Sequence, residues 1–87
     1  MKKLCTVALV EDHPLMRLGV EQMLTSVEEI VFLGGYPTLP SLLNDVQPDI
    51  VLLNLRLNDD STPSDNVVAA RAAGCQVLIY KIGRAHV

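Results

Sequence analysis

Positive charge is scarce in this sequence. Seven Lys and Arg residues stand against ten Asp and Glu, giving a formal net charge of −3 and an isoelectric point of about 5.1. Nucleic-acid-binding modules carry a basic face and an isoelectric point above about 9, so that class is excluded for these 87 residues. Long apolar runs are also absent, none approaching the ~20 residues needed to span a bilayer. Met1-Lys2-Lys3-Leu4 leads through an apolar stretch straight into Glu11-Asp12, with no small-residue cleavage site. That is not the pattern of a signal peptide, and the expectation is a cytoplasmic chain with no membrane partner. Cysteine is limited to Cys5 and Cys75, with no CxxC pair to suggest a metal or redox motif. Each opens an apolar run and reads as a small buried hydrophobe. Repeats, low-complexity segments and linkers are lacking, and the length allows one small domain.

What is present is a regular alternation of strand-like and helix-like periods. Leu4 to Val10 is a continuous apolar run rich in β-formers, as expected of a strand buried on both faces. Pro14 suits the first turn of a helix, where its missing N–H is no loss, and Leu15, Leu18, Val20, Met23 and Leu24 carry that helix to about Ser26. Ile30 to Leu33 reads as a second strand, with Gly34-Gly35 marking a need for backbone freedom. Thr38 is placed to cap a second helix whose apolar face is Leu39, Leu42, Leu43 and Val46, and Pro48 stops it. Asp49 to Asn54 is the strongest strand, uninterrupted apolar residues ending in one amide.

A polar loop, Asn58 to Ser61, follows, and Thr62-Pro63-Ser64-Asp65 has the form of a capping box. The third helix closes at Gly74, and Gln76 to Tyr80 is a fourth strand. Buried strands alternating with helices predict an α/β fold, a doubly wound parallel sheet in three layers with right-handed crossovers. Residues 1–80 form the domain in this reading. The last seven, Lys81 to Val87, have no period and read as an unstructured or foreign tail.

Ligands of doubly wound sheets bind at the carboxyl ends of the strands. There the sequence places Glu11-Asp12, after the first strand, and Asn54, at the end of the third. Oxygen groups converging at such a mouth suit a hard divalent cation, Mg²⁺ above all. The plainer reading is that the two acids solubilise a strand end, or that Asp12 or His13 caps the first helix. His13 fits a helix entry better than a metal ligand, and His86 lies in the tail.

Two segments carry a family resemblance. Val10-Glu11-Asp12-His13-Pro14-Leu15-Met16-Arg17-Leu18-Gly19 resembles the opening of response-regulator receiver domains, especially those of LuxR-type transcription factors. Pro48-Asp49-Ile50-Val51-Leu52-Leu53-Asn54-Leu55-Arg56-Leu57 resembles their phosphoacceptor strand, and the separation of the two segments fits as well. The resemblance implies a CheY-like, flavodoxin-type fold with strand order 2-1-3-4, the fifth strand and last two helices being absent from this chain. It implies that Glu11 and Asp12 hold Mg²⁺ with the backbone carbonyl of Arg56, and that Asn54 stands where an aspartate accepts phosphate. Its implied partners are a sensor histidine kinase or other signalling protein and a second copy of the chain, with DNA reached only through an absent C-terminal domain. The same strand order sets Cys5 and Cys75 about 9–10 Å apart, beyond disulfide reach.

The sequence departs from that pattern at Asn54, at Lys81, which occupies the place of a Ser or Thr, and at Asn58, where a loop proline is frequent. An aspartate attacks phosphorus with a charged oxygen. An amide oxygen is neutral and a poor nucleophile, so no acyl phosphate is expected at Asn54. The expectation is a non-enzymatic pseudo-receiver in a two-component phosphorelay, independent of phosphorylation and serving transcription regulation in its parent, with Mg²⁺ binding weakened. Lys81 either substitutes for the cation or belongs to the tail. The alternatives are a working Mg²⁺-dependent phosphoacceptor domain using another carboxylate and a small nucleotide-binding α/β module. The latter lacks a glycine-rich turn, since Glu11-Asp12-His13-Pro14 follows the first strand and would repel a pyrophosphate. A hydrolase lacks its nucleophile elbow.

Overall fold

The computed structural model describes residues 4–55, 57 and 61–80. The elements run β1 (Cys5–Val10), α1 (Pro14–Thr25), β2 (Ile30–Tyr36), α2 (Leu39–Asp45), β3 (Ile50–Asn54), α3 (Pro63–Ala72) and β4 (Gln76–Tyr80). The strands pair in parallel in the order β2-β1-β3-β4. This is the doubly wound order expected. Readings that concern Arg56, residues 58–60 and the tail from Lys81 lie outside the described residues.

Side chains alternate across the sheet, and the alternation sorts the core into two sides. Ala8, Val10, Val51 and Leu53 point to one face, where they pack with Leu39 and Leu42 of α2 and Ala70 of α3. Leu9, of opposite parity and fully buried, lies on the face that α1 crosses. The sheet is thus the middle of three layers. Its central strands are almost wholly apolar, Thr6 and Asn54 excepted, because both of their faces are covered.

Local chemistry sets the helix ends. His13 caps α1, its Nδ1 accepting from the Met16 N–H at 3.5 Å, so the capping alternative for His13 is the one realised. Thr38 caps α2: its hydroxyl accepts from Ser41 N–H at 3.2 Å and Ser41 Oγ accepts from Thr38 N–H at 3.3 Å. Thr62 caps α3, accepting from Asp65 N–H at 3.1 Å. At the other end of α3, Gly74 has a positive φ of 89°. Gly74 N–H donates to Arg71 O and Cys75 N–H to Ala70 O, both at 3.0 Å, the paired closure that a left-handed residue after a helix permits.

Two differences from the sequence reading have physical causes. β2 does not end before the glycines but runs through them to Tyr36, with a bulge: Val7 pairs with Phe32 and Ala8 with Gly34, skipping Leu33. Gly34 has φ of 145°, a conformation that glycine adopts without strain, so the freedom is spent inside the strand. The first helix ends at Thr25, and none of its side chains is fully buried, Leu15, Leu18 and Met23 being exposed. Its period is helical, but among the described residues only the sheet packs against it, so one flank of the helix stays in solvent. Both cysteines are free, Cys75 buried and Cys5 half-buried.

Candidate functional site

In-register parallel pairing fixes the site. Val10 pairs with Leu53, so Glu11 follows level with Asn54, and Asn54 pairs with Tyr80. Three side chains of like parity therefore stand in one row at the carboxyl ends of β1, β3 and β4, on the face that α1 covers. The backbone closes the row on both sides, with Glu11 N–H donating to Tyr36 O and Leu55 N–H to Tyr80 O, both at 2.8 Å.

Glu11 is the centre of this row and is fully buried. Its carboxylate can only accept, and it is surrounded by donors. Oε1 accepts from Tyr80 Oη at 2.6 Å and from Asn54 Nδ2 at 2.9 Å. Oε2 accepts from the same Asn54 nitrogen and from His13 N–H, each at 3.0 Å. Burial pushes the Glu11 carboxyl up. The hydrogen bonds from Tyr80, His13 and Asn54, with a smaller contribution from Asp12, outweigh it and hold the group below the usual carboxylate value of 4.5. The Tyr80 phenol is pushed far above its ordinary value, by burial first and then by its bond to Glu11. No buried side-chain oxygen or nitrogen among the described residues lacks a partner.

A cation-bearing side chain reaches the same point from α1. Arg17 Nη1 donates to the Glu11 carbonyl at 2.8 Å. Its stem crosses Gly35, where an added Cβ would sit 2.6 Å from Arg17 Cγ and 2.8 Å from Cδ. The bare backbone of Gly35 is the channel through which Arg17 reaches the end of β1.

Of the residues read from sequence, Glu11, Asp12 and Asn54 come together at one mouth, with Asp12 in the bend after β1. Arg56 and Lys81 lie outside the described residues. Tyr80 and Arg17 belong to the site and were not singled out from sequence. Arg17 sits within a helix period where a basic residue signals only solvent. Tyr80 is the last residue of an apolar strand, but its register opposite Asn54 could have flagged it. The oxygens of Glu11, Asp12 and the Asn54 side chain are of the right kind for Mg²⁺. In the present arrangement both Glu11 oxygens face O–H and N–H donors, so a cation fits only if these donors turn away. Among the described residues no cluster of three His, Cys, Asp or Glu residues could hold a metal, and no helix is long and apolar enough to cross a membrane.

No protein-family model matches the chain. It is 31% identical over 55 residues to the nitrate/nitrite response regulator protein NarL of Escherichia coli K12, a match covering 60% of this chain and 26% of NarL. The match therefore spans about a quarter of that relative's length. Among solved structures, the MaeR response regulator bound to beryllium trifluoride superimposes with a TM-score of 0.74 at 20% identity, over 94% of this chain and 70% of that one. The signal receiver domain of a modulated diguanylate cyclase from Desulfovibrio desulfuricans G20 gives 0.78 at 20% identity, over 95% and 68%. The RcsB response regulator of Salmonella typhimurium gives 0.74 at 15% identity, over 95% and 44%. The chain thus has the fold of response-regulator receiver domains and shares a 55-residue stretch with one response regulator, NarL.

Proposed function

We propose that this chain is the receiver module of a two-component response regulator of the NarL and RcsB kind, and that its output does not depend on phosphorylation at residue 54. One observation carries the second part: Asn54 turns an N–H donor, not a nucleophilic oxygen, into the mouth at 2.9 and 3.0 Å from Glu11. Phosphoryl transfer in such a site needs a charged acceptor and a cation to neutralise the incoming phosphate. At residue 54 the mouth offers an uncharged amide, and both Glu11 oxygens are already taken by O–H and N–H donors. Mg²⁺ binds weakly in this reading, through Glu11, Asp12, the side-chain oxygen of Asn54 and the backbone carbonyl of Arg56, and its role is to neutralise the acidic pair.

The module then acts as a binding partner, not as an enzyme. A sensor kinase or another signalling protein meets the surface around the carboxyl ends of the strands, and a second copy of the chain is a further partner. Contact with DNA belongs to a separate domain of the parent, since the acidic balance of these residues opposes it. The chain works in the cytoplasm in this reading.

Intact mass after incubation with acetyl phosphate and Mg²⁺ tests the proposal. The wild-type chain is expected to remain unmodified, whereas Asn54→Asp gains a base-labile phosphoryl group. A stoichiometric base-labile adduct on the wild-type chain would overturn it and show that another carboxylate accepts phosphate.

A further inference from the structure

The acidic mouth is completed from an unexpected direction. Receiver-type chemistry at this position needs oxygens around a cation, and two of the elements supply them. The fourth strand supplies a phenol instead. Tyr80 lies opposite Asn54 in the β3–β4 ladder, and the alternation of the strand aims both side chains at the same row. Its hydroxyl reaches Glu11 Oε1 at 2.6 Å, a length typical of an O–H donor on a charged oxygen. Glu11 is fully buried, so this donor cannot be replaced by bulk water without opening the site. Asn54 adds the second donor, shared between both oxygens. Together they do for the buried carboxylate what a metal would do: they satisfy its lone pairs. A phenol and an amide carry no net charge, so the pocket stays anionic yet stable.

We propose that Tyr80 is an internal competitor for the divalent cation: its hydroxyl holds Glu11 in a cation-independent arrangement, and a cation binds only when that hydrogen bond is given up. Tyr80 acts through Glu11 and is a positioning residue. It makes the affinity of the mouth for divalent cations depend on where the end of β4 sits. A partner that draws the end of β4 away from β1 therefore opens the cation site, and a bound cation loosens β4. This inference rests on the reading of Glu11 and Asp12 as the cation-facing pair. A phosphoryl adduct on the wild-type chain would overturn the proposed function while leaving this inference standing, because it is read from cation affinity and not from mass.

The test uses the whole chain and two variants. Tyr80→Phe keeps the ring and removes only the hydroxyl. Its affinity for Mn²⁺, followed by electron paramagnetic resonance, is expected to exceed that of the wild type by about tenfold to a hundredfold, the worth of one charge-assisted hydrogen bond. The second variant exploits the aromatic composition: the chain has two tyrosines and no tryptophan, so Tyr36→Phe leaves Tyr80 as the sole tyrosine emitter. A phenol bonded to a carboxylate is quenched. Mg²⁺ is therefore expected to raise the Tyr80 emission of Tyr36→Phe, over the concentration range in which Mg²⁺ displaces Mn²⁺. A role limited to anchoring β4 predicts neither change. Equal Mn²⁺ affinity in wild type and Tyr80→Phe, including no binding by either, overturns the proposal. So does a Tyr80 emission that stays constant while the cation site fills. If Tyr80→Phe loses its circular dichroism, the Tyr36→Phe titration decides alone.

Discussion

Asn54 sets the character of the site through the one nitrogen that its amide turns toward Glu11. As an amide it donates to both oxygens of Glu11. As a carboxylate it would stand against them, and two such charges about 5 Å apart repel by about 3 kcal/mol at an effective dielectric of 20. Asn54→Asp is therefore expected to lower the metal-free melting temperature by on the order of 10 °C, with Mg²⁺ restoring most of it. A thermal series in which Mg²⁺ makes no difference between the two proteins would contradict this account of the mouth. Tyr36 offers a separate residue-scale test. Its hydroxyl donates to Asp45 Oδ2 at 2.5 Å, and that bond, then burial, then the charge of Asp45, raise the phenol above its ordinary value of 10. A group whose folded value is raised stabilises the fold fully below the unfolded value, and that stability is lost as pH rises through the folded one. Tyr80 is shifted in the same direction. Phenolate absorbance should thus appear only above pH 10, and that of the more deeply buried Tyr80 together with loss of far-ultraviolet circular dichroism. Ionisation of both tyrosines at their ordinary value, with the dichroism intact, would count against both hydrogen bonds. The acidic pair and the amide were readable from sequence because polar residues ending apolar strands are conspicuous. Tyr80 was not, because a tyrosine inside a strand pattern gives no sign of what its hydroxyl meets until the register is known.

The elements themselves were largely legible, and where they were not, a backbone detail is responsible. Proline in the first turn and a capping residue before it announce α1, α2 and α3, and all three caps form. Apolar runs announce β1, β3 and β4. β2 was cut short at Gly34-Gly35, since glycines ordinarily end a strand pattern, whereas here one forms a bulge and the other lets a side chain pass. That second role is testable. Gly35→Ala would place a Cβ 2.6 Å from Arg17 Cγ, so the arginine must leave its path and its bond to the Glu11 carbonyl is lost. A cost of about 1–2 kcal/mol in urea unfolding is expected, reflecting a hydrogen bond to a charged donor. The clash needs Arg17, so combining Gly35→Ala with Arg17→Ala should cost less than the sum of the two single changes. Simple additivity would show that Arg17 does not depend on the bare backbone of β2.

At the scale of the whole molecule, the apolar surface is divided unevenly. The face under α2 and α3 is closed around Leu39, Leu42, Val51 and Leu53, all essentially without solvent exposure. The other face is covered by α1 alone among the described elements, and Leu15 and Met23 remain 73% and 69% exposed. β4 forms one edge of the described sheet, with Leu78 and Ile79 half in solvent, and beside it a groove of about 540 Å³ runs between α3 and β4, lined by Val67, Arg71, Cys75, Val77 and Ile79. An edge strand with open backbone groups and apolar side chains is a template for pairing with another chain. A net charge of only −3 offers little repulsion against it. Net stability is a small remainder of large opposing terms, so contacts between copies compete directly with the fold. The melting midpoint and the sedimentation coefficient are therefore expected to change with protein concentration. Lysine on an edge strand opposes such pairing without disturbing the inner ladder. Leu78→Lys with Ile79→Lys should abolish the concentration dependence while leaving the parallel β3–β4 pairing and its circular dichroism in place. A wild-type chain that melts cooperatively above about 60 °C, at the same temperature across a hundredfold range of concentration, would show that this open edge is inert.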